Sequence, residues 1–360
     1  MSSGPAPVHS SQDTSVTVSI IIPHWNGKEV LGECLQSLQA SRPPGAEIIV
    51  VDNASTDGSA AWIRAEYPQV ILVANTTNKG YAGGCNSGAR QARGAYLLFL
   101  NNDTVHTTGW IERLVEALDR NPDLAAVQPK ILNYFQRDSF DYAGGSGGEL
   151  DLFVYPFTRG RIFQTQEIDR GQYENPTDIF WASGTANLVR AELFHEAGGF
   201  DESFFAHMEE IDLCWRFHLM GKRVGVIPAS VVYHRNAVTL TMYSYRKYYL
   251  NHRNSMLLLM TNYSLPLTIY LFPFRFALEW VALVYAFVLR DWNHIGGILA
   301  ALGWFLTHPG HILRRRRWIK SLRKKKDRQI IRSMYPGSIV WSYYILGRKT
   351  YGLLARTSPK

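Results

Sequence analysis

Four apolar runs, each closing on polar residues and each followed by a helix-patterned stretch, constrain this chain more than any other feature. Residues 16–22 (VTVSIII), 47–51 (EIIVV), 70–74 (VILVA) and 95–100 (AYLLFL) read as strands buried on both faces. Between them, residues 29–40 place Val30, Leu31, Cys34, Leu35 and Leu38 at helical spacing, and residues 59–66 and 81–93 also read as helical. Strand and helix in alternation predict an α/β fold, a mostly parallel sheet with helices on both faces. Ligands of such sheets bind outside the carboxyl ends of the strands, where Asp52 and Asp103 fall.

The pattern continues to residue 234. Residues 110–120 read as helix and 127–132 as strand. Residues 144–148 form a Gly-rich flexible loop, and 180–190 a strand pair or a strand with a turn. Residues 191–199 read as a short helix with a Gly stop, residues 201–220 as an acidic start to an apolar helix, and 224–233 as a last strand ending at His234. Residues 1–15, Ser- and Pro-rich with no apolar h-region, are expected to be a flexible start. Residues 16–240 then form the α/β domain and 241–360 a distinct helical region.

Charge separates the two. Residues 1–234 carry 17 Lys and Arg against 27 Asp and Glu, whereas 235–360 carry 21 against 3. A basic tail on an acidic body points to an anionic partner, nucleic acid or a membrane surface. Five of the ten Trp and eleven of the nineteen Tyr lie in the tail, and aromatics among Lys and Arg fit a membrane interface. Uncharged runs at 255–274, 280–289 and 292–313 are broken by Pro266, Pro273, Arg275 and Glu279. They suit interfacial or re-entrant helices better than a clean span, or else a bundle packed on the body. The Arg and Lys cluster at 314–326 would face an anionic leaflet. The three cysteines are too dispersed for a disulfide framework or a zinc pair and suit a reducing compartment.

Several residues suit chemistry. Asp52 and Asp57 can accept hydrogen bonds from a ribose or base, or cap turns and helices. Asp103, after Asn101 and Asn102, can bind a hard divalent cation or cap the next segment. Glu209, Glu210 and Asp212, beside His207, are close enough to raise one another's pKa, as a general base or metal contact requires; they also read as an acidic first helical turn. His234 is a satisfied histidine or, with Asp103, part of a mixed His and carboxylate site. Residues 79–84 (KGYAGG) open a helix and can let backbone approach phosphate, without forming a P-loop or dinucleotide fingerprint.

In this order, residues 18–26 (VSIIIPHWN), 49–58 (IVVDNASTDG), 78–86 (NKGYAGGCN), 97–103 (LLFLNND), 183–190 (SGTANLVR), 198–205 (GGFDESFF) and 208–216 (MEEIDLCWR) resemble family 2 of the inverting, GT-A-fold glycosyltransferases, in its bacterial rhamnosyltransferase-like branch. The resemblance implies a Rossmann-like sheet and a nucleotide-diphosphate sugar donor. Pro23, Trp25, Asn26, Asp52, Asn53, Lys79, Gly80 and Asn102 would hold the donor, and Asp103 and His234 a Mg²⁺ or Mn²⁺ ion. Glu210 would be the catalytic base, supported by Glu209 and Asp212, while Trp181 and Gly184 would shape the sugar and acceptor site. Two departures stand out: Asn101 replaces the first Asp of the family's acidic motif, and Glu209-Glu210 stands where a Glu-Asp pair is usual.

The implied function is transfer of a sugar, with rhamnose one candidate, to a hydroxyl of a saccharide or lipid-linked saccharide in cell-wall or O-antigen synthesis. The expected setting is the cytoplasmic face of the cell membrane, peripheral or monotopic, on an anionic surface and with no nucleic acid partner. The alternatives are a polyprenyl-phosphate sugar transferase and, from another class, a nucleic-acid- or membrane-binding protein with a non-catalytic nucleotide-sugar fold.

Overall fold

The computed structural model describes residues 16–236 and 244–355. The expected flexible start and the expected domain boundary at 240 lie outside the described residues.

The first half alternates as expected: β1 (Val18–His24), α1 (Lys28–Ser41), β2 (Ala46–Asp52), α2 (Ser59–Glu66), β3 (Ile71–Ala74), α3 (Gly80–Ala89) and β4 (Tyr96–Leu100). Then come β5 (Thr104–His106), α4 (Trp110–Arg120) and β6 (Leu124–Asn133). A small antiparallel sheet follows, of β7 (Gly148–Leu150), β8 (Pro156–Thr158), β9 (Arg161–Ile162) and β10 (Thr165–Gln166). The body closes with β11 (Thr177–Ile179), β12 (Ala186–Arg190), α5 (Ala191–Glu196), α6 (Glu209–Leu219) and β13 (Arg223–His234).

The main sheet runs β11-β13-β6-β12-β4-β1-β2-β3, with β5 paired to the end of β13. Strands β1 to β4 are parallel, and β12, β11 and β5 run antiparallel to their neighbours. The continuous apolar runs of β1, β2 and β4 are explained by burial on both faces, whereas β3, at the sheet edge, is only half-buried. Along β1, Ile20 and Ile22 pack with Leu31, Leu35 and Leu114 of α1 and α4, while Ile21 packs with Cys85 and Trp215 of α3 and α6. Within 180–190 only Ala186–Arg190 is strand. The small sheet is absent from the sequence reading because its strands, two or three residues long, carry no periodicity.

The tail forms α7 (Tyr245–Asn262), α8 (Leu265–Val288), α9 (Trp292–Thr307), α10 (Pro309–Leu322), α11 (Asp327–Ile331), α12 (Ile339–Tyr344) and α13 (Tyr351–Ala355). It shares the body's core: Leu257, Leu258, Tyr263 and Ile319 pack in one cluster with Trp215, Phe217 and Phe204. Arg275 and Glu279 do not interrupt the apolar run. They pair at i, i+4 with Nη1 to Oε1 at 2.6 Å, and α8 continues through them and through Pro273.

Candidate active site

The carboxyl ends of β1, β2 and β4 meet side by side, because His24 lies opposite Asp52 in the parallel register. The buried His24 ring contacts Ser59 Oγ at 2.9 Å through Nε2 and the Asn102 amide at 2.9 Å through Nδ1. Burial lowers its pKa against the pull of Asp52 and Asp57. The loops after β1 and β2 are tied together: Asn26 Oδ1 accepts from Thr56 N at 2.8 Å, and Asn26 N donates to Ser55 Oγ at 2.9 Å. Asp57 caps α1, accepting from Gly27 N at 2.8 Å and Lys28 N at 3.2 Å. Asp52 is buried at the strand end, taking only a long bond from Ser55 N (3.3 Å). Trp25 stands at the mouth, 41 % exposed, with Pro23 half-buried behind it.

The pairing of β5 with the end of β13 sets Thr104 opposite His234, which brings Asp103 to the histidine. Asp103 Oδ1 lies 3.1 Å from His234 Nε2, and Asp141 Oδ1 lies 2.9 Å from Nδ1. Burial alone would lower the pKa of His234; the two carboxylates outweigh it and push it up to about 10. Asp141, wholly buried and also bonded by Asn236, went unread in the sequence, since nothing in its spacing ties residue 141 to 234. Among the described residues, no three His, Cys, Asp or Glu side chains gather as a metal cluster.

The acidic triplet divides. Glu209 and Glu210 open α6, each with one buried carboxylate oxygen that has no hydrogen-bond partner. Burial pushes Glu210 up to about 7; burial and the neighbouring Glu210 charge push Glu209 further. Asp212 faces the other way. It is wholly buried, bonded by Arg216 Nε at 2.9 Å, by Asn262 Nδ2 at 3.0 Å and by Arg315. Burial alone would raise its pKa, but the two guanidinium groups hold it below the usual carboxylate range. Its expected catalytic support is therefore corrected: Asp212 fastens α6 to α7 and α10.

Burial raises the pKa of Tyr81, and the charges of Glu209 and Glu210 add to it. Tyr81 Oη donates to Gly184 O at 2.6 Å, and the next residue, Thr185, accepts at its carbonyl from Asn101 N at 2.9 Å. The glutamates and the Asp103–His234 pair are thus linked through Tyr81 and the 184–185 turn. The loop before α6 is strained, with Phe205, His207 and Met208 at φ of 64°, 69° and 72°. Asn254 of α7 holds it, its amide reaching the carbonyls of Phe204 (3.2 Å), Ala206 (3.0 Å) and His207 (2.7 Å). Lys247, one turn from the start of α7, reaches both sides: its charge acts on His207, and its Nζ is 5.6 Å from the Tyr142 ring, next to Asp141. Asn254 and Lys247 carry no sequence signal beyond belonging to a basic tail.

Three further expectations need correction. Gly80, at φ 69°, does not open α3 to phosphate; a Cβ there would overlap the Phe205 carbonyl, which caps Ala82 N at 3.3 Å, and half-buried Lys79 sits at the same covered turn. Asn53 uses both ends of its amide inside the protein, donating to Gly80 O at 3.1 Å and accepting from Asn75 at 2.8 Å. Trp181 is core: its ring covers Gly148 and its Nε1 donates to Glu149 O at 2.8 Å. Gly184 packs against Tyr81. A separate cavity of about 600 Å³ lies between α3, the turn after α5, and α10, lined by Arg90, Asp201, His311 and Trp318 and by none of the expected site residues.

Comparison with known proteins agrees with the fold. Residues 19–196 match the family model for glycosyl transferase family 2. The chain is 31% identical over 232 residues to the O-antigen biosynthesis protein RfbC of Myxococcus xanthus, covering 61% of this chain but 17% of RfbC, so it spans only a small part of that relative. It is 28% identical over 218 residues to the N-acetylglucosaminyl-diphospho-decaprenol L-rhamnosyltransferase of Mycobacterium tuberculosis, covering 56% of this chain and 69% of that one. The crystal structure of GalNAc-T7 with UDP, GalNAc and Mn²⁺ superimposes with a TM-score of 0.61 at 15% identity, over 93% of this chain and 59% of that one, a likeness of fold.

Proposed function

The chain belongs to glycosyl transferase family 2, and from that premise we propose that it moves a sugar, rhamnose foremost, from a nucleotide-diphosphate donor to a hydroxyl of a lipid-linked saccharide, with inversion. What supports the reading is this linkage: a buried Glu210 oxygen with no hydrogen-bond partner among the described residues at one end and the Asp103–His234 pair at the other.

The Asp103–His234 pair fits a divalent cation. A carboxylate oxygen and an imidazole nitrogen converge at 3.1 Å, and Asp141 behind Nδ1 fixes the ring, the arrangement that orients a ligating histidine. Mg²⁺ or Mn²⁺ takes few protein ligands alongside phosphate and water, and when bound would offset charge on the diphosphate. Asp52, Trp25 and Asn102 border the place where the nucleoside would lie.

Glu210, with a pKa near neutrality, takes the proton of the acceptor hydroxyl. The freed oxygen bonds to the anomeric carbon from the face opposite the diphosphate. The bond from that carbon to the diphosphate oxygen breaks, and its electron pair leaves with the nucleoside diphosphate.

Screening nucleotide sugars for thermal stabilisation, with and without Mn²⁺, identifies the donor. Glu210→Gln should then cut turnover by roughly 10³-fold or more while leaving nucleotide binding intact. Turnover within twofold of the parent would remove Glu210 from the chemistry.

A further inference from the structure

Helix α8 is amphipathic in the inverted sense. Its two charged residues face the protein: Arg275 and Glu279 are each 1 % exposed. Arg275 bonds Ser255 Oγ at 2.8 Å and Tyr155, and Glu279 bonds His252 Nδ1 at 2.6 Å. The side turned outward is apolar, with Ile269, Val281, Val284 and Phe287 each 60–64 % exposed. A soluble helix shows the reverse pattern. The face extends beyond α8: Phe287 lies 6.4 Å from Trp292 at the start of α9, and Tyr344 of α12 lies near Tyr285. Of the twenty-five exposed large hydrophobic side chains among the described residues, twenty-one lie between 265 and 353, far more than scattered surface apolar residues account for.

We propose that this continuous face of α8, α9 and α12 docks in the interfacial layer of an anionic lipid bilayer, with α8 lying in the membrane plane. Charge on the page chooses lipid over a second copy of the chain. Residues 235–360 hold three carboxylates, and each is engaged: Glu279 as above, Asp291 by Tyr248 Oη at 2.7 Å and Asp327 by Arg323 at 2.7 Å. Arg290, between α8 and α9, and Arg314, Arg317 and Lys320 of the neighbouring α10 remain exposed. Two such faces brought together would oppose like charges, whereas phosphate headgroups complement them. Trp280, Tyr285 and Trp292 supply the amphipathic rings that favour the headgroup level.

Orientation follows from the inward face. Although α8 is long and apolar enough to cross a bilayer, Thr268, Leu271, Arg275, Glu279 and Ala286 are buried against the protein from one end to the other. Eighteen residues of helix are about 27 Å, so the helix lies along the body rather than standing away from it. The basic cluster at 314–326 contributes less than its count suggests, because Arg315 is bound by Asp201 and Asp212 and Arg323 by Asp327.

The test is flotation of the full chain with vesicles of phosphatidylcholine alone or with about 30 mol% phosphatidylglycerol. The chain should float more completely with the anionic vesicles and fall in ~1 M salt only to the level it reaches with neutral ones, because charge attraction is screened and inserted apolar groups are not. The double variant Val284→Glu and Phe287→Glu should lose binding at least tenfold with an unchanged melting temperature. Failure to float, equal flotation with neutral vesicles, undiminished binding by the double variant, or a lipid-indifferent dimer in detergent-free buffer would each overturn the proposal. Quenching of Trp280, taken as the difference from Trp280→Phe, should come from lipids brominated near the glycerol backbone. Quenching from the chain ends instead would overturn the in-plane placement.

Discussion

Replacing Asp212 by asparagine removes one negative charge from a site closed to solvent. Arg216 is wholly buried and Arg315 nearly so, and both point their guanidinium groups at this carboxylate. Arg315 keeps Asp201 at 3.0 Å, but Arg216 is left bonded to the carbonyls of Ala197 (2.6 Å) and Gly199 (2.7 Å), with Asp201 the remaining carboxylate whose charge acts on it. Breaking a buried pair this way costs about 3–5 kcal/mol. At roughly 2–4 °C per kcal/mol for a domain of this size, the melting temperature should fall by roughly 6–20 °C in a thermal-shift assay. The depressed pKa of Asp212 means its contribution is present above ordinary carboxylate values and is lost as pH falls below them, so the gap between parent and variant should narrow in acid. Turnover measured well below the variant's melting temperature should stay within a few-fold of the parent. A shift under about 2 °C would refute the energetic argument. A folded Asp212→Asn chain with a thousandfold loss of turnover would return Asp212 to the chemistry.

Turnover should rise with pH through about 7, where Glu210 loses its proton, and a pH-independent rate would exclude it as the base. The same raised pKa means that the folded state binds the proton more tightly than the unfolded chain. Stability should therefore fall between about pH 4 and 7 in the parent relative to Glu210→Gln, read by melting temperature. Asn254→Ala frees the strained loop from its three carbonyl contacts; turnover should drop roughly ten- to hundredfold while nucleoside diphosphate binding by calorimetry is unchanged. Gly80→Ala combines a left-handed backbone with overlap on the Phe205 carbonyl, so a destabilisation above about 1 kcal/mol is expected in denaturant titration.

The sheet was legible because strands covered on both faces must be apolar throughout, and β1, β2 and β4 carry that mark plainly. Polar residues at their ends mark the ligand edge of the sheet, which is how Asp52 and Asp103 come into view, whereas Glu210 comes into view from the acidic start of α6. What escaped detection depends on contacts between residues far apart in the chain. Asp141 follows β6 and meets His234 only because β13 runs beside β6. Gly80 has the composition of a phosphate loop, but the backbone it admits is that of Phe205. Trp181 has the chemistry of a sugar platform, yet its position over Gly148 makes it core. In the tail, Arg275 and Glu279 look like interruptions along the sequence and become a mutual pair only once helical spacing and a receiving His252 are in place.

The tail therefore has two functions that cannot be separated by cutting. Its inner side supplies Asn254 to the loop before Glu209, and Asn262 and Arg315 to Asp212, so the start of α6 owes its position to α7 and α10. Its outer side is the apolar face of α8, α9 and α12. A chain ending before residue 255 would lose the packing of Leu257, Leu258 and Tyr263 against Trp215 and Phe217, along with Asn262 and Arg315 as partners of Asp212. Its insolubility or inactivity would then say nothing about lipid. Substitutions at Val284 and Phe287 change the outer side alone, because those side chains are exposed while the pairs beneath them stay intact. If the proposed base and the proposed lipid contact both hold, the helices that fix Glu210 would keep it at a set height above the bilayer. For an acceptor sugar carried on a lipid anchor, that height decides whether its hydroxyl reaches Glu210.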